Sequence, residues 1–544
     1  MNTRQLQTDK NQKLYHALLG ILLVCALAMM MLLSYWACKY SYYGAVDGRT
    51  RGVLVGDKTW AHIAVFLAAS LCAMGIDKVL MKKDKSQQEK ICLCTLIVTS
   101  VIAFILGVFY VCKNPYYPVG DQINTTAFAA YCRDGNFSML SIGGYVGMYQ
   151  QQKGLAIRYE ILFTLFGDFN YRPAKILHVV WWILTILAGY GFLKLNTDRP
   201  VFRMLYCVMM LGCFPLLFYL PYIYGDVLSI SFGIILFYGV AAYEHSGQKR
   251  YIALASFAAG LAVLARKNTW IVLVAVAVYV LLVSLRKKKV RYLMAGTAIL
   301  LTAALSVKAV DVIYEVRSGY PSGVGIPSIL WVAMGLQETE GRAGVYNRYQ
   351  QATFTDYDCQ QELAAQQGKE YIRERLEEFS QDPGMAFNFF KNKVEGQWIE
   401  PMYAALESTE SFEEGAELSP VLESLYYGEL GRTIWKLTNY YQSILYLAGL
   451  MALVMLGILW WKKKEVPISL WLPWIAVFGG FLFSILWEAK SRYVFPYCVF
   501  MILYAPEGLY QTGLLLCKLP KLRKFKKSGH TQDKGEEASL RETA

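Results

Sequence analysis

The chain has 544 residues, of which 55% are hydrophobic and only 17% charged, and its formal net charge is +13. A soluble chain of this length would divide into two or three domains with far more charge. The positive charge does not indicate nucleic acid, because basic residues fall in short segments between apolar runs of about 20 residues, the length that crosses roughly 30 Å of hydrocarbon.

In chain order the sequence predicts an all-α polytopic membrane protein with twelve spans, at about 14–37, 60–80, 91–112, 174–193, 204–223, 227–243, 252–265, 269–285, 292–312, 440–460, 466–487 and 493–517. The first run, Leu14 to Ala37, is too long for a signal-peptide core and lacks a small-residue cleavage site, so it reads as a span. Lys82 to Lys90, Lys249–Arg250, Arg286 to Lys289, Lys462 to Lys464 and the tail from Lys518 then share one side. By the positive-inside rule that side is cytoplasmic, with both termini, in a multi-pass protein of the cell membrane. Counting Gly154 to Gly167 as a span would break this parity. It contains Arg158 and Glu160 and is short, so it reads as an interfacial helix on the outer face.

The expected organisation is an N-terminal tail and hairpin of spans (1–90), a transmembrane module (91–312) with a first outer loop (113–173), an outer region (313–439), C-terminal spans (440–517) and a basic tail (518–544). The outer region holds 20 acidic residues against 10 basic ones. Ile372, Leu376 and Phe379 recur there at helical spacing, and the apolar stretch 325–336 is too short to span. The twelve cysteines form no CxxC pair and no Cys/His cluster; a disulfide among Cys112, Cys132 and Cys359 stays open.

Charges at the outer ends of spans carry the functional signal, because polar groups at that depth are costly. They are Asp121 in YPVGDQ, Asp226 in PYIYGDVLS, Arg266, Lys267 and Asn268 in the tight turn LARKN, and Glu488, Lys490 and Arg492 in LWEAKSRY. Lys153 and Arg158, on the interfacial helix, join the same mouth. Each has a plainer reading: Asp226 as a helix N-cap, Glu488 and Arg492 as a helix-stabilising i,i+4 ion pair, and tryptophans as interface anchors. Arg266 and Lys267 go against the inside bias, which favours function for them. Two carboxylates with four or more cations suit transfer from a lipid phosphate: a carboxylate takes a proton from an acceptor hydroxyl and the cations stabilise the leaving phosphate.

The order of YPVGDQINTTAFAAYCRDGNFSMLSIGGY, YQQQKGL, the short helix ending LFG, YGD, LARKN, MGLQETEGRAGVYN and LWEAKSRYVFPY resembles the GT-C superfamily of polytopic glycosyltransferases, which includes protein O-mannosyltransferases and aminoarabinose transferases, and more closely a Gram-positive bacterial branch of it. The resemblance covers about 91–517. It implies a helical bundle with outer juxtamembrane helices and inverting transfer from a polyprenyl-phosphate-linked sugar to a cell-surface glycan, lipid or protein. By analogy Asp121 and Asp226 are catalytic, Arg266, Lys267, Arg492 and Lys153 face the donor phosphate, and Gln122, Gln150, Tyr224, Asn268, Glu488, Lys490, Glu395 and Trp398 are candidate substrate contacts. A divalent metal, Mg or Mn, stays open, with Asp121 and Asp226 as its available ligands. Asp121 is followed by Gln122 where the mannosyltransferases carry an Asp-Glu pair, and the first two spans have no counterpart there and read as an accessory hairpin. The alternatives are a transporter or flippase, disfavoured by the absence of repeat symmetry, and a scaffold that binds a partner through 313–439.

Overall fold

The structure is a computed structural model that describes residues 3–43, 53–464 and 466–518. The protein is an all-α membrane protein. Among the described residues nine helices are long and apolar enough to cross a membrane: Gln12–Lys39, Thr59–Leu80, Lys85–Lys113, Arg172–Asn196, Asp226–Ser246, Lys267–Lys287, Val290–Ser318, Glu429–Trp461 and Ile468–Leu486. The other three expected spans are helical but short or interrupted, for reasons written in the sequence. Stretch 204–223 divides into Pro200–Gly212 and Phe214–Phe218 around Pro215, which has no N–H to donate. The stretch at 252–265 is a single helix of 17 residues, Lys249–Ala265. The last begins as Ser491–Met501 with Pro496 inside it, tightens into i→i+3 bonds at Ile502, Leu503 and Tyr504, and resumes as helix over 505–518. That break is buried in protein, where irregular backbone is tolerated at depth.

The basic loops meet at one end of the bundle, as the parity argument required. Arg199 pairs with Asp77 at 3.1 Å, Lys194 with Glu89 at 3.4 Å and Lys287 with Glu244 at 2.8 Å. Each pair ties the end of one helix to a neighbour. The basic tail beyond Lys518 lies outside the described residues. At the opposite, acidic end, backbone hydrogen bonds join segments far apart in sequence. Tyr42 donates to Ile399 (3.1 Å), Tyr117 to Ser411 (2.8 Å), Ile326 to Met148 (3.0 Å) and Ala489 to Gly344 (2.7 Å). The loop 113–173, the acidic region and the last turn are therefore one assembly.

Several expectations need correction. The helices Val290–Ser318 and Glu429–Trp461 run past the expected span ends into the acidic stretch 313–439. In the helix Gln361–Gln381, Phe379 packs on Phe389 with ring centres 5.2 Å apart, but Leu376 is 52% exposed and takes no part in that core. The first two helices pack against the rest of the bundle. Helix Thr3–Lys39 lies so close to Glu429–Trp461 that a Cβ on Gly20 would meet Trp460 at 2.9 Å, and His62 of Thr59–Leu80 bonds Ser443 at 2.8 Å. The strands that follow and precede them, Tyr40–Tyr43 and Val53–Gly56, pair antiparallel over the acidic end. All twelve cysteines are free, so Cys112, Cys132 and Cys359 form no disulfide.

Other readings agree with the structure. Helix Lys153–Phe166 buries Leu155, Ala156, Tyr159, Leu162 and Phe163 on one face and exposes Ile161, Leu165 and Phe166 on the other. Helix Ile329–Gly335 packs on the mouth of the bundle: a Cβ on Gly335 would stand 2.3 Å from the Leu486 carbonyl.

Candidate active site

Asp226 opens the helix Asp226–Ser246 and is 1% exposed. The preceding Gly225 lets the YGD turn approach the LARKN turn, since a Cβ there would fall 1.9 Å from the Ala265 carbonyl. That approach delivers Arg266, which follows the helix Lys249–Ala265 in extended backbone, onto the Asp226 carboxylate as an ion pair. Arg492 comes from the last turn. It donates to the Tyr222 hydroxyl and holds its Nε 3.9 Å from Asp226 Oδ1, too far for a hydrogen bond. Aromatic rings fix both cations: Arg266 lies 5.2 Å from the Tyr493 ring centre and 5.7 Å from that of Tyr224, and Arg492 lies 5.4 Å from Tyr224. Two guanidinium groups thus share one buried carboxylate and leave a net positive centre. Asp226 Oδ2 and Arg492 Nε have no hydrogen-bond partner.

Asp121 is placed differently. It is the first residue of the helix Asp121–Arg133 after Gly120 at φ 58°, is exposed, and accepts a 2.8 Å bond from the Tyr145 hydroxyl. Burial raises the pKa of Tyr224, and the Asp121 charge adds to it while Arg266 opposes it. Glu488 is also buried, which pushes its carboxyl up to about 7, with Lys490 lowering it and Asp121 raising it further. Asp121 and Arg266 therefore both act on Glu488 across the same mouth.

Glu488 stands where two cavities adjoin. One, of about 100 Å³, is lined by Arg266, Lys267, Asn268, Tyr224 and Gln152, with Trp331 and Trp487 stacked at 5.9 Å and 3° on its wall. The other, of about 810 Å³, is lined by Glu488, Lys490, Lys393, Glu395, Glu400 and Glu407, and is partly roofed by Val53 and Leu54. Burial lowers Lys393 to about 7, with Glu488 pulling it back up. Glu400 accepts from the backbone of Met402 and Ala404 at 2.8 and 2.6 Å, yet burial and then neighbouring Glu407 raise its pKa.

Other sequence candidates are engaged elsewhere. Gln122 is buried and donates to Tyr116 at 2.6 Å. Lys153 is 2% exposed and spends its charge on Asp311 (3.0 Å), Ser322 (2.7 Å) and Gln150 (3.3 Å), so Lys153 and Gln150 clasp the end of Val290–Ser318 rather than face a donor. Trp398 is fully buried and donates to Ser484 at 3.0 Å, which makes it core rather than a substrate platform. Glu395 reaches the large cavity but is 3% exposed. Sequence reasoning missed Tyr145, Gln152, Tyr222, Tyr493, Trp331 and Trp487. The signal available for Tyr222 and Tyr493 was their adjacency to the charged turns, where aromatic rings pack on guanidinium groups.

Asp121 and Asp226, the two carboxylates available to a metal, sit in different surroundings. Asp226 is taken up by Arg266, and no group of three or more His, Cys, Asp or Glu among the described residues is placed to hold an ion. Comparison with protein-family models, with curated proteins and with solved structures finds no match for this chain.

Proposed function

We propose that the protein is a membrane glycosyltransferase of GT-C-like architecture, with twelve crossings in all, that moves a sugar from a polyprenyl-phosphate-linked donor to a cell-surface acceptor at the acidic, outer end. The observation that carries this reading is the pair Arg266 and Arg492, held by the single carboxylate of Asp226, beside a cavity with Lys267 and opposite the exposed Asp121. Preorganised cations of this kind stabilise charge that builds on a departing phosphate without having to reorganise. Asp226 then orients the arginines rather than reacting.

In the proposed reaction an acceptor hydroxyl oxygen bonds to the anomeric carbon and its proton passes to the Asp121 carboxylate. The bond from that carbon to the phosphate oxygen breaks, and polyprenyl phosphate leaves with the electron pair toward Arg266. Inversion follows from one displacement. The cavity of about 810 Å³ offers room for the acceptor, and Glu488 links it to the arginines.

The test uses the full chain reconstituted with a polyprenyl-phosphate sugar carrying a radiolabel. Deleting the gene should remove one sugar from the surface glycans, and Asp121→Asn should abolish transfer at unchanged expression. Movement of the intact lipid-linked sugar across the bilayer with no new glycosidic bond would instead make the protein a flippase.

A further inference from the structure

The cavities at the acidic end adjoin one another. The one of about 100 Å³ beside Arg266 shares Glu488 with the one of about 810 Å³, which in turn shares Glu400 and Glu407 with a third, of about 230 Å³. The third is walled by Leu406, Tyr426, Tyr427, Arg432 and Trp435. Glu400 is fixed where the second and third meet. Its carboxylate accepts from the backbone of Met402 and Ala404, in a loop where Tyr403 and Ala404 both stand at positive φ, 50° and 57°. Backbone of that kind is costly for residues with a side chain and gathers at functional sites. Tyrosines connect the large cavity to the proposed base. Tyr346, in its wall, meets the Tyr149 hydroxyl, and the Tyr149 ring centre lies 5.2 Å from that of Tyr145, the donor to Asp121.

We propose that this row of cavities is a groove for a glycan chain, so that the acceptor is an oligosaccharide or longer sugar polymer; the proposal rests on the large cavity being the acceptor's place. Pockets that enclose a drug-sized molecule hold about 300–1,000 Å³, so one sugar would leave most of this groove unfilled. The walls offer hydrogen-bond acceptors and aromatic faces, and the hydroxyls and C–H faces of sugar rings use both. Gln397, in the wall of the large cavity, is 1% exposed. Its amide N–H groups go to the carbonyls of Lys393 and Ser484 (3.1 Å each), which leaves its Oε1 without a donor. Glu395 Oε1, 3.9 Å from Lys391 Nζ, likewise accepts no hydrogen bond. An acyl chain laid along these groups would bury them unsatisfied, which disfavours a lipid. The reacting sugar lies at the Asp121 end, and the rest of the chain runs past Glu400 and Glu407 toward Tyr427.

The experiment measures binding with no donor present, so it is separate from whether transfer occurs. Surface glycan from a deletion strain, cut with mild acid and sorted by length, is passed over the immobilised full chain in detergent. Retained fragments are read by mass spectrometry. Hexasaccharides should be held about tenfold more tightly than disaccharides, the scale of one hydrogen bond to a charged acceptor. Glu407→Ala should remove most of that advantage and leave disaccharide binding unchanged. Tyr427→Ala, at a half-exposed position in the third cavity, should reduce the advantage with no effect on folding. Equal retention of the two lengths, an equal loss for both lengths in both variants, or retention of peptides in place of sugar chains would overturn the groove. Length-dependent retention with no transfer would uphold the groove and remove the transferase reading; transfer with no length dependence would do the reverse.

Discussion

The two ends of the bundle use charge in opposite ways. At the basic end the cations of Lys288, Lys463 and Lys464 are exposed, and their number and position matter more than their partners. At the acidic end Asp226, Arg266 and Arg492 are withdrawn from solvent, and each fixes the others. The difference teaches that the same residue types stay open to solvent and ligands at some positions, while at others they are enclosed and hold one another in place. Exposed charge is screened and replaceable, whereas an enclosed ion pair strongly resists loss of one member.

The contrast is broken most severely if Asp121, a solvated carboxylate of the mouth, turns out dispensable. Asp121→Asn should lower transfer by roughly 10² to 10⁴-fold, the range for loss of a general base, with an unchanged melting temperature because an amide oxygen still accepts the bond from Tyr145. Full activity in the reconstituted assay would remove it from the reaction.

Enclosed charge is tested next. Arg266→Ala should destabilise the protein by about 3–5 kcal/mol, because the buried Asp226 loses its bonded partner. Combining it with Asp226→Asn should cost less than the sum of the two single changes. Thermal unfolding in detergent measures both, and simple additivity would show that the pair is not coupled.

A pH series sharpens the picture. Glu488 is raised to about 7, so it is neutral below that value and negative above it. Lys393, lowered to about 7, gains charge in the same direction as pH falls. The mouth therefore becomes more positive on going from pH 8 to pH 6. Binding of a phosphate-bearing donor should tighten over that interval by about tenfold, the scale of one unit charge acting at moderate distance and dielectric. Glu488→Gln should flatten most of the change. A donor affinity that is level with pH in the parent protein would deny Glu488 any influence on the site.

The smallest effects are expected at exposed positions. Lys267→Gln and Leu376→Glu should each shift stability by no more than about 0.5 kcal/mol. Only the first should weaken donor binding, because Lys267 lines the cavity of Arg266 while Leu376 lies out on the helix Gln361–Gln381. A large loss of stability in Leu376→Glu would show that this helix meets a surface not described above.

The sequence by itself determined that this is a helical membrane protein, which loops share an end, and that the charged turns gather at the other. Runs of apolar residues and clusters of lysine are local facts, and the membrane converts them into topology directly. Only the tertiary structure decided what each charged residue does. Asp226 and Asp121 look alike in their motifs, yet the close approach at Gly225 buries one against Arg266 while Gly120 leaves the other open. Gln122, Lys153 and Trp398 were plausible contacts by position, and their partners, Tyr116, Asp311 and Ser484, lie 6, 158 and 86 residues away. Whether a polar side chain is spent inside the protein or left for a substrate depends on such distant partners, which no local pattern reveals.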